Sequence, residues 1–357
     1  MSEEVKKTKR PWTRIEIIGL VIFIVSMVIL FVKPSIIGDM FNKMFDRAYP
    51  IAVTLYLASK VMPAIIISVT IGRLLERLGF TDVLMRTFVP IMKYVGVNAS
   101  IAVPSIYNIL GDVNAAGRIS APIIRQSGAT KDEQKIAIAT MMQGPSSFSI
   151  LVFGITALAL ANVNVFIVFL LSLFLPIVAV PLILRLTIWR NTKPIDIGDV
   201  PMFTPTDKPI LTTIYAGARE GAEVLFLLII PACCVVFAAI GILDYIGVWP
   251  YIESAIKSLL LFCNIEPSSG LFSVLAGGTL GMVELNKIIA ETPAALAVGS
   301  FILAASSPLQ VIFGQIPIIW SGPTDLSEGE CIIAASIGFI IRLLTAAGFA
   351  YIYLAIG

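Results

Sequence analysis

The composition of the chain excludes a water-soluble domain. Of its 357 residues, 57% are hydrophobic and only 13% are charged, which is far too apolar for a soluble globular protein. The formal net charge of +2, without a long basic tract, argues against nucleic-acid binding, and the absence of histidine excludes histidine-based catalysis and metal ligation. The four cysteines show no C-x-x-C spacing. No β-barrel alternation is present, so the sequence predicts an all-α polytopic membrane protein.

The first apolar run, residues 15–32, follows a cluster of basic residues between positions 6 and 14. It is long for the apolar part of a signal peptide, and no small-residue cleavage site follows it. We therefore expect an uncleaved first span in the cell (inner or plasma) membrane, with the N-terminus in the cytoplasm. With the outer loop that follows, this segment comprises residues 1–47.

Residues 48–190 form the predicted first repeat. Its expected elements are, in order, a span, an amphipathic interfacial helix, a polar-centred segment, an interrupted span and a plain span: 48–72, 73–97, 99–124, 136–160 and 165–186.

The centre of segment 99–124 reads Gly-Asp-Val-Asn-Ala-Ala-Gly, from Gly111 to Gly117. An acid and an amide are costly in a lipid-facing helix. The segment is either one full span or two half-helices in a re-entrant hairpin. A full span would place the three basic residues between positions 125 and 135 outside, whereas a hairpin returns them to the cytoplasm. The positive-inside rule therefore favours the hairpin.

The run 136–160 carries no charge, yet its centre contains Gln143, Pro145, Ser146 and Ser147. Proline removes a backbone donor and clashes with the preceding turn, and carbonyls freed in hydrocarbon need partners. We therefore expect a broken helix that lines a cavity within the protein.

A cytoplasmic linker, 191–214, precedes a second half, 215–357, with the same order of elements. They are a span, an interfacial helix, a hairpin with its tip at 276–281, a span interrupted at 306–310 and a final span: 222–243, 249–263, 268–289, 294–320 and 331–356. Pro63, Gly79 and Ser105 align with Pro231, Gly247 and Ser273. Each half makes three full crossings, an odd number, so the second is inverted relative to the first.

This order, with the motifs at Gly111–Asn114, Gly144–Ser147, Gly277–Gly278 and Ser306–Pro308, resembles the nucleoside-recognition, or Gate, domain superfamily. That superfamily includes concentrative nucleoside transporters, the membrane part of the ferrous-iron transporter and spore-maturation membrane proteins. The resemblance implies that hairpin tips and unwound spans hold a nucleoside-like substrate and a coupling sodium ion. It also implies a homo-oligomer.

The candidate site consists of polar residues in the two hairpins and the two breaks. The candidate substrate-binding residues are Asp112, Asn114, Gln143, Thr279, Glu284, Ser306, Ser307 and Gln310, and the candidate coupling-ion ligands are Asp112, Ser146 and Ser147. Serines can alternatively satisfy carbonyls freed by proline, and Glu284 can pair with Lys287 at i+3. Arg118 pairs with Asp112 or neutralises an anionic ligand. No cofactor is expected, apart from Na⁺ as a candidate coupling ion.

The leading hypothesis is a secondary active transporter, not an enzyme, that carries a small polar solute by an elevator-type movement. Because no ATP-binding P-loop is present, coupling to Na⁺ or H⁺ is the expected energy source. The alternatives are a non-transporting membrane assembly or regulatory protein and a metal-ion permease. A further alternative is an intramembrane aspartyl protease built on Asp112 and Asp244. It is disfavoured because Asp244 lies at the end of its span, where it is not expected to meet Asp112. The expected partners are the solute, the lipid bilayer and further copies of the chain, without nucleic acid.

Overall fold

The computed structural model describes residues 10, 12–58, 61–110, 113–196, 209–304 and 311–356, and the secondary structure of these residues is helical. Four of the described helical stretches are long and apolar enough to cross a membrane: Arg14–Val32, Val165–Thr187, Ile210–Tyr245 and Glu328–Ile356. Two bent helix pairs pass the same test when each is taken as one span. The prediction of a multi-pass α-helical membrane protein is therefore confirmed.

Two long helical arms pack side by side through the molecule. The first arm consists of α2 (Ser35–Tyr49), a π-helical segment (Pro50–Leu57) and α3 (Val61–Arg77). The second consists of α11 (Ile210–Glu223), a π-helical segment (Val224–Ile229) and α12 (Ile230–Tyr245). Because α3 packs on α11 and α2 packs on α12, the arms are antiparallel. We call them the antiparallel pair; α1 (Arg14–Val32) precedes it and buries none of its residues.

Glycines allow the two arms to approach closely. A Cβ atom added to Gly221 would lie 2.8 Å from the Cα atom of Ile66, and one added to Gly241 would lie 2.6 Å from the Cα atom of Met44. The obstructing atoms are backbone, so any side chain at these positions would push the arms apart.

Ion pairs close the antiparallel pair at both ends. At one end Arg47 lies 3.1 Å from Asp244, and at the other the guanidinium of Arg73 donates to both carboxylate oxygens of Glu220 at 2.7 and 2.8 Å. Positions 220 and 244 are about 36 Å apart along a helix that rises about 1.5 Å per residue. This length is close to the roughly 30 Å of a bilayer's hydrocarbon core, so the ion pairs lie at the two ends of an apolar stretch of membrane thickness.

Helices α4 (Phe80–Val95) and α13 (Trp249–Phe262) begin and end in the same way. Gly79 and Gly247 precede them with φ of 82° and 75°, and Gly96 and Asn264 end them with φ of 82° and 52°. Left-handed backbone at these positions favours glycine or asparagine. The chain then turns by 113° after α4 and by 117° after α13.

The residues after these turns also correspond. The side chain of Asn98 accepts a hydrogen bond from the Ser100 amide, and that of Glu266 accepts one from the Ser268 amide. Asn98 and Glu266 are 168 positions apart, as are Gly79 and Gly247. Two distant segments therefore have the same left-handed residues and the same helix caps at a constant spacing.

Each turn leads into a pair of short helices that pack against each other. The first pair, which we call the first hairpin, is α5 (Val103–Leu110) with α6 (Val113–Gln126). The second hairpin is α14 (Pro267–Leu275) with α15 (Gly278–Ile288). Most of the polar centre predicted at the first tip is therefore helical, because Val113–Gly117 belong to α6. Gly111 and Asp112 lie outside the described residues.

The expected interruption of the run 136–160 is present, between α7 (Lys131–Met141) and α8 (Phe148–Leu160). We call residues 142–147 the first break. In the second half, α16 (Ala294–Leu303) is followed, beyond the undescribed residues 305–310, by a π-helical segment and α17 (Ile316–Trp320). The interruption expected at 306–310 therefore falls outside the described residues, and we use the name second break only for the end of α16 at Leu303 and Ala304.

Long helices complete the two halves. In the first half α9 (Val165–Phe169), a π-helical segment (Leu170–Phe174) and α10 (Leu175–Thr187) form one continuous stretch. In the second half α18 (Glu328–Ile356) packs on α7 and α16.

Two local expectations were wrong. The loop expected to end at residue 47 is mostly the helix α2, because Pro34 starts this helix rather than a turn and its residues pack on α12. The interfacial helix expected over 73–97 begins only at Phe80, because the left-handed Gly79 separates it from α3, to which Arg73 and Arg77 belong.

The start of α7 ties several segments together. Glu133 is fully buried and accepts hydrogen bonds from the backbone amides of Asn98, Thr130 and Lys193, each at 2.8 Å. The linker after α10 is thus attached to the base of the first hairpin. The first turn of α18 is attached to α7 through Glu330, which lies 3.4 Å from Lys135.

Candidate functional site

The carbonyls freed at the first break are satisfied by two side-chain amides. Asn108 of α5 donates to the carbonyl oxygens of Met141 at 3.0 Å and Gly144 at 3.4 Å. Gln143 donates to the carbonyl oxygens of Ala139 at 2.9 Å and Gly338 at 2.8 Å. The predicted need for partners at a broken helix is therefore met from the first hairpin and by Gln143 itself.

Both amides keep an acceptor available. The side-chain carbonyl oxygens of Asn108 and Gln143 are buried and have no hydrogen-bond partner within the described part of the chain. Buried polar atoms are normally paired. These oxygens are consequently candidate contacts for a bound solute, ion or water.

The first break contacts both hairpins. The backbone amide of Val113, the first residue of α6, donates to the carbonyl of Ser146 at 3.3 Å. Ser147 begins α8 by accepting from the Ile150 amide at 3.3 Å, and its hydroxyl lies 3.4 Å from that of Thr279 on the second hairpin. Ser146 and Ser147 are both buried, and Thr279 is half-buried.

The tip of the second hairpin packs on the second break. A Cβ atom added to Gly278 would lie only 1.8 Å from the carbonyl oxygen of Ala304, so the start of α15 lies directly against the end of α16. On another side of the tip, the hydroxyl of Tyr56 donates to the Ala276 carbonyl at 3.0 Å. The antiparallel pair therefore also reaches this tip.

These contacts bring the two hairpins, the first break and the end of α16 together at one centre. Helices α6, α8 and α15 begin at this centre, and helices α7, α14 and α16 end there. Helix N-termini carry partial positive charge and C-termini partial negative charge. Such a centre can bind a polar solute together with a small ion.

The predicted site residues fall into three groups. Asn114, Gln143, Ser146, Ser147 and Thr279 lie on the elements that converge, and the first four are buried. Glu284 forms a 2.9 Å ion pair with Lys287, which is the alternative that the sequence left open. The remaining four residues lie outside the described residues: Asp112, Ser306, Ser307 and Gln310.

Arg118 has an acidic neighbour on the antiparallel pair. Its guanidinium lies 3.7 Å from Glu220, the same residue that binds Arg73. An ion pair thus connects the first hairpin to α11.

Arg342 of α18 is a site residue that the sequence analysis did not propose. It is fully buried, and it donates to the carbonyls of Ile302 at 2.5 Å and Ser172 at 3.1 Å. A cation is stabilised at a helix C-terminus, and Ile302 lies in the last turn of α16. The available signal was an ionisable residue inside an apolar span, which is a functional candidate by default.

The donor set suits a hard cation better than a transition metal. The described residues contain no group of three or more His, Cys, Asp or Glu side chains able to hold a metal ion. Hydroxyl and carbonyl oxygens, which are the groups present at the first break, are ligands preferred by hard cations.

Comparison with known proteins gives one match. Residues 58–164 match the family model of the Gate domain, described as nucleoside recognition. No curated protein and no solved structure matches the chain at a significant level. The match covers less than half of the chain, but it includes α3–α8 and so contains the first hairpin and the first break. Residues 58–164 of this multi-pass α-helical protein are thus similar to the Gate domain, which is the resemblance that the sequence analysis stated.

Proposed function

We propose that the protein is a secondary active transporter of a small polar solute. The observation that carries this proposal is the convergence of two hairpins, the first break and the end of α16 at one buried polar centre. Ser147 and Thr279 meet there at 3.4 Å from opposite halves of the chain. A protein that only scaffolds others gains nothing from buried, incompletely paired polar groups, because each costs stability.

The two halves are, in this proposal, inverted repeats. Support comes from local structural features that recur 168 positions apart. They include the left-handed residues around α4 and α13 and the turns of 113° and 117° that follow these helices. Further support comes from the antiparallel pair, whose two arms are the corresponding first spans of the two halves. Inverted repeats with broken helices near the midplane are a common transporter architecture.

The mechanism proposed is of the elevator type. The antiparallel pair serves as the scaffold, and the hairpins with their broken helices carry the solute. The polar contacts between these two parts at the hairpins include Tyr56 with Ala276 and Arg118 with Glu220. Contacts of this kind can break and re-form at modest cost, which a sliding interface requires.

The match of residues 58–164 to the Gate model supports a nucleoside-like solute in this proposal. Asn114, Gln143 and Thr279 are proposed to contact it, together with Asp112, Ser306, Ser307 and Gln310. Asp112, Ser146 and Ser147 are proposed to bind the coupling cation, Na⁺ or H⁺. The proposal places the N-terminus in the cytoplasm of the cell membrane and the protein in a homo-oligomer.

Uptake by purified protein in liposomes tests the proposal. Nucleosides, nucleobases and amino acids are offered with an inward Na⁺ gradient, an H⁺ gradient or neither. We expect gradient-dependent uptake of at least one solute, weakened in Ser147→Ala by about two- to tenfold in apparent affinity, since a hydrogen bond contributes about 0.5–1.5 kcal/mol.

Thr156→Val is the matched control, because Thr156 is an exposed residue of α8 whose hydroxyl bonds only the carbonyl of Val152 among the described residues. Its uptake should equal that of the wild type. Absence of uptake of every solute under all gradients, from protein that is folded, would reject transport and favour the assembly or regulatory alternative. Uptake of divalent metal ions alone would favour the permease.

A further inference from the structure

A cavity of about 170 Å³ lies away from the central site, between the antiparallel pair and helices α13 and α14. Its apolar wall includes Phe237, Leu271 and Phe272. Its charged wall consists of Arg47, Glu253 and Lys257. The cavity is therefore amphipathic, and the roles proposed above do not use it.

The corresponding space in the first half is filled. At the spacing of 168 positions, Glu253, Lys257 and Leu275 correspond to Met85, Val89 and Tyr107. These three first-half residues are buried, and the hydroxyl of Tyr107 is hydrogen-bonded to that of Thr81. The second half thus has a charged pair and an open cavity where the corresponding residues of the first half are buried in its core. The cavity is therefore a local difference between two otherwise similar halves.

The charges around the cavity do not cancel. Lys257 lies 2.7 Å from Glu253, which also accepts a hydrogen bond from the indole of Trp249 at 2.9 Å. The hydrogen bond from Lys257 lowers the pKa of Glu253, so its carboxylate is charged at neutral pH. Asp244 has two cations, Arg47 at 3.1 Å and Lys43 at 3.9 Å. Of these charged groups, Arg47, Lys257 and Glu253 line the cavity. With Asp244 and Lys43 behind Arg47, the cluster of described residues holds three cations and two carboxylates, which leaves a net charge of +1.

The cavity lies at one end of the apolar stretch of the antiparallel pair, where we expect a bilayer to change from hydrocarbon to headgroups. Asp244 and Arg47 mark one end of the apolar stretch of the antiparallel pair. Helix α13, which forms one wall, exposes the aromatic side chains of Tyr251 and Phe262. Exposed aromatic residues are typical of a membrane–water interface.

We propose that this cavity binds the headgroup region of an anionic phospholipid. The phosphodiester pairs with Lys257 and Arg47, and the glycerol and the first acyl carbons pack on Leu271 and Phe272. A phosphate adds the negative charge that the cluster lacks, and basic pockets between membrane helices are established lipid-headgroup sites. The rest of the lipid lies in the surrounding bilayer. The inference rests on the proposed function only for the inverted repeat and membrane placement, not for transport itself.

The test compares retained lipids on purified, delipidated protein by native mass spectrometry. The probes are phosphatidylglycerol and a diacylglycerol with the same acyl chains, which lacks the phosphate. We expect one phosphatidylglycerol to be retained in preference to the diacylglycerol. Lys257→Gln should weaken that retention about tenfold, as expected for one charge-assisted contact. Leu275→Tyr, which introduces the residue that fills the first half, should also weaken it.

Lys287→Gln is the matched control, since Lys287 is likewise paired with a glutamate on a helix but does not line the cavity. Its retention should equal that of the wild type. Equal retention of both probes, or an equal loss in Lys257→Gln and Lys287→Gln, would overturn the proposal. Displacement of phosphatidylglycerol by glycerol phosphate or by a transported solute would also overturn it, and would assign the cavity to a soluble ligand. Because retention is measured without transport, a failure of uptake with retention intact rejects the proposed function alone.

Discussion

Gly278 permits the closest contact between the second hairpin and the second break, and Gly278→Ala tests whether this contact sets the geometry of the site. The added Cβ would lie 1.8 Å from the backbone carbonyl oxygen of Ala304, whereas ordinary contact begins at 3.4 Å. The tip and the break must therefore separate by about 1.6 Å, unless the backbone of one of them is remodelled.

The expected change in stability is small because two effects oppose each other. Alanine is favoured over glycine within a helix by about 1 kcal/mol, while overpacking a close contact costs about 1–3 kcal/mol. The net destabilisation is thus about 0–2 kcal/mol. The substitution should change the geometry of the site more than the stability of the protein. Thr279 follows Gly278 directly, and its hydroxyl, which now lies 3.4 Å from that of Ser147, would move away from it. Losing that hydrogen bond alone predicts a two- to tenfold weaker apparent affinity, from about 0.5–1.5 kcal/mol.

The assay is uptake kinetics together with thermal melting of the purified protein. Gly348→Ala is the control, because Gly348 lies within α18 and a Cβ there would meet no atom within 4 Å; it should leave uptake unchanged and melting unchanged or slightly raised. If Gly278→Ala behaves like Gly348→Ala in both measurements, the contact between tip and break does not position the site, and the reasoning fails.

The remaining predictions concern the cytoplasmic base and the first hairpin. Glu133→Ala should lower the free energy of unfolding by at least about 1–3 kcal/mol, because buried backbone amides lose their acceptor; a denaturation midpoint within error of the wild type would contradict this. The backbone amide of Ser327 donates a hydrogen bond to the carboxylate of Glu330, and this is the main reason that the pKa of Glu330 is about 2, below its usual 4.5. The charged carboxylate therefore stabilises the folded state above pH 4.5, and this stability is lost as the pH falls toward 2. Glu330→Gln should therefore lower the free energy of unfolding at pH 7 by about 1 kcal/mol or less, since the group is partly exposed. The melting temperature should fall accordingly, with a difference that shrinks in melts toward pH 3. Asp112→Asn should abolish ion-dependent uptake but leave the protein folded, whereas unchanged ion dependence would give this acid a structural role. Single cysteines placed between residues 126 and 131 should resist an impermeant reagent added outside intact cells, and labelling there would reject the re-entrant hairpin.

The first break could be predicted from sequence because it depends on local chemistry. Pro145 and the serines beside it mark a place where a helix cannot continue, whatever surrounds it. The left-handed Gly79 and Gly247 are also local, and their alignment in sequence anticipated the matching starts of α4 and α13. The bounds of helix α13 were predicted within one residue of those observed, because a glycine and a polar pattern lie next to each other at its start.

The partners of the polar residues could not be predicted, because they come from distant segments. Nothing near Gln143 indicates that its amide reaches Gly338, almost two hundred residues later. Arg118 was left with two candidate roles, and its observed neighbour Glu220 belongs to neither. The helix α2 was missed because a local signal was given too much weight. Pro34 favours a turn, but proline is also tolerated at a helix start. The packing of α2 on α12, which is not visible in the local sequence, decides between the two.

Arg342 explains how a centre of broken helices can hold its shape in an apolar protein. The end of each broken helix presents carbonyls that hydrocarbon cannot satisfy. At the first break, neutral amides of Asn108 and Gln143 bind these carbonyls. At the end of α16, a buried guanidinium binds the Ile302 carbonyl and also holds the Ser172 carbonyl of a π-helical segment. Among the described residues, the first break is thus supported by neutral amides and the end of α16 by a buried guanidinium. If the two halves are inverted repeats, as we propose, this difference gives the centre a directional electric field, and the bound solute and ion are expected to take one orientation rather than two.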